Sequence, residues 1–171
     1  MPVELVGPVD FTIRAAVPAE SAALSALARE AKASWGYPAE WLDQWRAELT
    51  ISDEYVRAHE LFVAESKTMV LGVCALEDHG AQWALEHLWV SPRAQRLGVG
   101  RALVHHALRA ARRGGASTKR VRVVSDPHAA GFYRAMGARE IGAEPAPMPG
   151  APARELPILE FALNASSGAG P

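Results

Sequence analysis

An apolar, strand-like run over residues 85–90 is followed, after a short turn, by Gln95-Arg96-Leu97-Gly98-Val99-Gly100 and then by an amphipathic, helix-like run over 101–113. A strand that feeds a long helix through a glycine-bearing loop constrains the chain to an α/β arrangement at this point. Gly98 and Gly100 carry no Cβ, so the backbone can turn sharply and approach an anion closely. The unpaired N–H groups of the helix's first turn point toward that anion. A pyrophosphate suits such a cradle, although glycines between a strand and a helix also serve as a plain tight turn. The loop lacks the Gly-Lys-Ser/Thr ending of a P-loop. No G-x-G-x-x-G with an acid about twenty residues on stands here either, so neither a nucleoside triphosphate nor a dinucleotide is the natural ligand.

The rest of the chain reads as alternating strands and helices. A first strand is expected over 11–15 and a helix over 19–34, with Ala23, Leu27 and Ala31 on one face. Gly36 and Pro38 break that helix, and a second over 39–49 sets Trp41 and Trp45 four residues apart on a common side. Residues 61–64 and 69–76 read as a strand pair joined around Ser66 and Lys67. The run 83–90 is apolar on both faces except at Glu86 and His87, which marks a central strand. On the helix after the glycines, Leu103, Val104, Ala107, Leu108 and Ala111 form the buried stripe, and Gly114 and Gly115 end it. A strand over 120–125 leads to a helix from Pro127 to about Met136, for which Asp126 is a candidate N-cap and Gly137 the C-terminal stop. Residues 142–153 are proline-rich and read as neither helix nor strand, while 156–163 reads as a last strand. The pattern gives an α/β sandwich around one central sheet, with residues 1–10 and 164–171 as flexible ends.

The chain's 171 residues, 49% hydrophobic and 22% charged, suffice for one sizeable core. A net charge of -1 provides no global positive field for nucleic acid or an anionic membrane. The single cysteine, Cys74, lies in an apolar run and reads as a small buried hydrophobe in a reducing compartment. No basic leader and no apolar run of membrane-spanning length is present, so the expectation is a cytoplasmic protein. His105 and His106 are adjacent on a helix and cannot share a metal face, so no metal is expected.

Gln95, Gly98 and Gly100, preceded by Leu88, Trp89 and Val90 on a strand and Pro92 in the turn, resemble the Q/R-x-x-G-x-G/A signature of the GCN5-related N-acetyltransferases (GNAT). Asp126, Ala129, Phe132, Tyr133 and Gly137 are similar to that family's N-x-x-A-x-x-F/L-Y-x-x-x-G-F/A segment, with Asp126 in place of the usual Asn and His128 as an added imidazole. The resemblance covers roughly residues 11–163 and implies one acetyltransferase domain over 1–171. It implies a mixed central sheet splayed between its fourth and fifth strands, flanked by helices on both faces, with acetyl-CoA, the acetyl donor, in the opening. Leu88, Trp89 and Val90 would lie along pantetheine. The amides of Arg96, Leu97, Gly98, Val99, Gly100 and Arg101, beside Gln95, would hold the pyrophosphate, with Asp126, His128, Phe132 and Tyr133 also at the cofactor.

The implied reaction is direct acyl transfer from a thioester to a primary amine in a ternary complex. An alkyl amine with a pKa of about 10 is mostly protonated at neutral pH, so a base must act near it. Glu86 is the candidate base; its other reading is an ion pair with an arginine such as Arg122. His87 reads as a packed, hydrogen-bonded histidine that faces the other way unless a bulge returns it. Tyr133 is the candidate proton donor to the departing thiolate; its other reading is a packing aromatic. Family members place the first two helices and the last hairpin around the acceptor, which nominates Trp35, Tyr37, Trp41 and Glu86, with Trp45 and residues 144–154. Aromatics there suit a partly apolar or cationic small molecule, and helically spaced tryptophans equally suit a core. Glu40, Asp43 and Glu48 make an acidic face that fits a polyamine or an ordinary solvated surface. A peptide acetyltransferase and a non-catalytic acyl-CoA sensor remain alternatives, and a homodimer is compatible with this size.

Overall fold

The computed structural model describes residues 9–67, 69–114 and 120–163. The expected flexible ends therefore lie outside the described residues except for Val9 and Asp10, as does Gly115. Seven strands are present among them: β1 (Thr12–Ala15), β2 (Glu60–Ser66), β3 (Met69–Asp78), β4 (Trp83–Val90), β5 (Arg120–Val124), β6 (Arg139–Pro145) and β7 (Glu155–Ala162). They form one sheet in the order β1-β2-β3-β4-β5-β7-β6. Every neighbouring pair is antiparallel except β4 and β5, which run parallel. The helices are α1 (Ser21–Ala33), α2 (Ala39–Gln44), α3 (Asp53–Ala58), α4 (Val99–Arg113) and α5 (Ala130–Ala135).

Strand alternation sorts the core into two layers. Cys74 and Leu76 face α4 with Leu103, Val104 and Ala107, whereas Val73 and Ala75 face Leu24, Leu27 and Val56 of α1 and α3. The buried face of α1 is Leu24, Leu27, Ala28 and Ala31, so Ala23, expected on it, is exposed. The α4 stripe is buried as its 3.6-residue period requires.

Two irregularities make the opening that the sheet offers. β4 and β5 pair only at Trp83↔Val121 and Ala84↔Arg122, then diverge. The β3–β4 register also slips, Ala75 facing His87 and Leu76 facing Leu85, so Glu86 is the extra residue of a β-bulge. The slip reverses the strand's parity: Trp83 and Leu85 pack on the α4 side, and beyond the bulge Leu88 and Val90 do so.

Several boundaries differ from expectation for local physical reasons. α2 stops at Gln44, and Trp45 to Leu49 continue in turns whose backbone bonds include Leu49 N–H to the Trp45 carbonyl at 2.9 Å. α3 was not anticipated, although Ser52 accepts the Tyr55 N–H at 3.1 Å as its N-cap and acids fill its first turn. Residues 142–145, expected to be irregular, belong to β6. An edge strand tolerates glycine and a terminal proline because one side of its ladder is unpaired. No helix among the described residues is long and apolar enough to cross a membrane.

Candidate active site

Two cavities flank the divergence of β4 from β5. The first, of about 500 Å³, is lined by Glu86, His87, Lys32, Trp45, Asp126 and Arg154 among others. The second, of about 560 Å³, is lined by Val90, Gln95, Arg96, Gly98, Gly100, Arg101, His128 and Phe132 among others. Trp35, Leu88, Trp89, Ala129 and Tyr133 line both, so the cavities meet along these five residues, Tyr133 among them.

The second cavity is walled by backbone donors. Gly98 caps α4 in the left-handed region at φ 82°, and Arg96 also has a positive φ of 62°. Among the described residues a Cβ on Gly98 would meet nothing within 4 Å, so glycine is favoured there by backbone conformation rather than by room among protein atoms. The first intrahelical bond is Ala102 N–H to the Gly98 carbonyl at 3.0 Å, which leaves the N–H groups of Val99, Gly100 and Arg101 ahead of the helical ladder. Ser91 donates its N–H to Leu71 on β3, so strand alternation turns the N–H groups of Leu88 and Val90 toward the gap. His128 stacks on Trp35 with ring centroids 5.5 Å apart, and Phe132 lies 3.6 Å from where a Gly100 Cβ would stand.

The bulge brings Glu86 and His87 to the same cavity. Glu86 is exposed at the cavity surface, yet partial desolvation by the surrounding protein, then the nearby Glu77 carboxylate, raises its pKa. No cation lies within salt-bridge distance of Glu86 among the described residues; Arg122 instead approaches Glu144 at 4.0 Å. Ligand atoms of Glu77, His79 and Glu86 lie within 4.8 Å of one another, with Glu77 held by Tyr55 and His79. The His87 Nδ1 accepts the Trp89 indole N–H at 3.0 Å, which assigns the ring proton to Nε2, and burial lowers its pKa to about 4. A neutral, hydrogen-bonded histidine is the result.

A cluster of two cations and one carboxylate forms another wall of the first cavity. Asp126 accepts from Lys32 Nζ at 2.6 Å, from the Tyr37 hydroxyl at 2.9 Å and from the His128 N–H at 2.8 Å, and Arg154 approaches it at 3.6 Å. Burial pulls the Asp126 pKa up, but Lys32 and the other donors outweigh it and hold it below its ordinary value. Burial lowers the Lys32 pKa, against the opposing pull of Asp126. The Trp45 ring packs against both cations, 4.3 Å from Lys32 Nζ and 5.0 Å from the Arg154 guanidinium.

The tyrosine at the junction is buried, with Phe132 and Phe161 edge-on to its ring, and its hydroxyl has no hydrogen-bond partner among the described residues. Burial raises its pKa well above that of a free phenol. Of the other residues nominated from sequence, Leu97 packs against the core and Asp126 faces the first cavity rather than the second. Tyr37 and Trp41 form an outer wall, with Trp41 donating its indole N–H to the Pro149 carbonyl at 3.1 Å. Sequence reasoning missed Lys32 and singled out no role for Arg154. Lys32 stands four residues after Ala28 on the buried stripe of α1, a charged residue in an apolar position, and that misfit was its only signal.

A family model described as the acetyltransferase (GNAT) domain matches residues 24–146. No curated protein sequence matches the chain. Among solved structures, the PaiA N-acetyltransferase from Thermoplasma acidophilum, in complex with coenzyme A, is 18% identical with a TM-score of 0.71, over 90% of this chain and 99% of that one. YncA from Salmonella typhimurium, with its cofactor acetyl-CoA, is 18% identical with a TM-score of 0.66, over 95% and 98%. A GCN5-related N-acetyltransferase from Rhodopseudomonas palustris is 16% identical with a TM-score of 0.72, over 88% and 94%. With the family's domain model spanning most of its length and its sheet opened between β4 and β5, the chain belongs to the GNAT acetyltransferases.

Proposed function

We propose that the chain, as one domain over residues 1–171, moves the acetyl group of acetyl-CoA directly to a primary amine of a small molecule. The observation that carries this reading is the meeting of two cavities along residues that include Tyr133, one beside the glycine loop and one beside Glu86. The second cavity fits the cofactor: its left-handed Gly98 and free first-turn N–H groups suit a pyrophosphate, with Arg96 and Arg101 as charge partners. The N–H groups of Leu88 and Val90 would bond pantetheine as an added strand does. When bound, acetyl-CoA supplies an acetyl group already activated as a thioester.

Glu86 is assigned to take the first proton from the acceptor's ammonium, a role that its raised pKa favours. The amine then forms the C–N bond and sheds a second proton, while the C–S bond breaks and Tyr133 returns a proton to the sulfur. Solvent reprotonates the tyrosine and receives the surplus, so one proton is released for each ammonium consumed. A small acceptor is favoured because the hairpin of β6 and β7 is pinned to α2 by the Trp41–Pro149 bond, beside a cavity of about 500 Å³.

A panel of polyamines, amino acids, aminoglycosides and peptides, assayed for thiol release from acetyl-CoA, tests the reading. Turnover of a small amine is expected. Turnover of peptides alone would make the chain a peptide acetyltransferase. Calorimetric binding of acetyl-CoA with no turnover would make it a sensor.

A further inference from the structure

The Lys32–Asp126–Arg154 cluster has unequal charges and unequal hydrogen-bonding capacity. Asp126 already accepts from Lys32, Tyr37 and the His128 N–H, and its side chain is 6% exposed. Lys32 and Arg154, 11% and 10% exposed, bring two positive charges against that single negative one. Among the described residues the five guanidinium N–H donors of Arg154 meet one carbonyl, Ala146 at 3.3 Å, and the Tyr37 hydroxyl oxygen, besides the 3.6 Å approach to Asp126, which still leaves donors for a ligand. A guanidinium with spare donors and a surplus charge on a cavity wall is matched by a carboxylate. The cavity's other acids, Glu48, Glu86 and Glu144, make no salt bridge to either cation among the described residues. One cavity thus carries a cationic wall and, at the bulge, an unpaired carboxylate. Arg154 is also preset, because its guanidinium lies 5.0 to 5.8 Å from the rings of Tyr37, Trp41 and Trp45 on a hairpin pinned by Trp41.

We infer that the acceptor is an amino acid or a close relative, its carboxylate received by Arg154 with Lys32 and its amine presented to Glu86. The inference rests on the acetyltransferase reading for the fate of the amine, but not for the binding of the carboxylate.

Matched ligands test it: free amino acids, their C-terminal amides and the amines left by decarboxylation. Binding is read from the fluorescence of Trp35, Trp45 and Trp89, which line the cavity, with coenzyme A present; turnover is read from thiol release. For at least one side chain the free acid should bind and react at least about tenfold better than its amide or amine. In Arg154→Gln that preference should fall to near unity, and Arg154→Lys should restore part of it. Amides or peptides handled as well as free acids, or no free acid bound at millimolar concentration, would overturn the inference. A preference unchanged in Arg154→Gln would do so too. If that variant does not fold, the ligand pairs on the parent protein decide alone. Carboxylate-dependent binding without thiol release would sink the catalytic reading and leave the carboxylate site standing. Acetylation of amines regardless of a carboxylate would do the reverse.

Discussion

Replacing Asp126 by Asn removes one negative charge from beneath two cations while keeping the side chain's size and its acceptor for Tyr37 and the His128 N–H. The loss is electrostatic, and it falls on groups that water barely reaches: the side chains of Asp126, Lys32 and Arg154 are 6%, 11% and 10% exposed. Removing one partner of a buried pair typically costs about 3–5 kcal/mol because the other charge is left uncompensated. For a chain of this length each kcal/mol moves the melting temperature by about 2–4 °C, so a fall of roughly 6–20 °C is expected. Thermal or urea unfolding at neutral pH measures it. The folded-state pKa of Asp126 is depressed, so its contribution is fully present above the ordinary carboxylate value, about 3.9, and disappears as pH falls through the lower folded value. Parent and variant should therefore converge only in strong acid. A second substitution, Lys32→Met, should recover part of the loss, since it removes one of the two buried cations that Asp126→Asn leaves uncompensated. A loss under about 1 kcal/mol at pH 7, or a gap that does not close in acid, would refute the view that this carboxylate holds the cluster together.

Glu86→Gln should lower kcat/KM by about 10²- to 10⁴-fold and spare acetyl-CoA affinity. Because its folded pKa is raised, the parent's acid limb should lie above the ordinary carboxylate range, and a variant that keeps that limb at full height would place the base elsewhere. Tyr133→Phe removes a hydroxyl with no partner among the described residues. Melting temperature should therefore hold while kcat falls about 10- to 100-fold, and equal turnover by the variant would make the tyrosine a packing residue. Gly98→Ala should destabilise the unliganded protein by about 1–2 kcal/mol, the cost of a left-handed L-residue, since its Cβ meets nothing within 4 Å among the described residues. Unchanged stability would mean that the loop adopts another path.

Periodicity was enough for the sequence to determine β4 and the buried stripe of α4. Trp83–Val90 is bounded as expected, and the glycine loop is legible because a left-handed backbone favours glycine at Gly98 whatever lies around it. These are local properties, set by residues within one or two turns of each other. The bulge at Glu86 lay at the limit of what local reading yields: the α4-facing positions pass from Trp83 and Leu85 to Leu88 and Val90, a slip of one residue that is visible in hindsight. Its consequence, that His87 shares a cavity with Glu86, depended on which sheet face α1 covers. Only the tertiary structure could decide the fate of Asp126. Its sequence neighbourhood reads as a helix cap, while its charge is claimed by Lys32, 94 residues away, and by Tyr37, 89 residues away. An ion pair between distant elements, unlike an i,i+4 pair within one helix, has no period and no preferred spacing. Its partners are chosen by the crossing of distant elements, here α1, the turn after β5 and the hairpin that delivers Arg154. The hydrophobic pattern of a chain records which face is buried, but which charges meet in the gap between buried faces is decided by the packing itself.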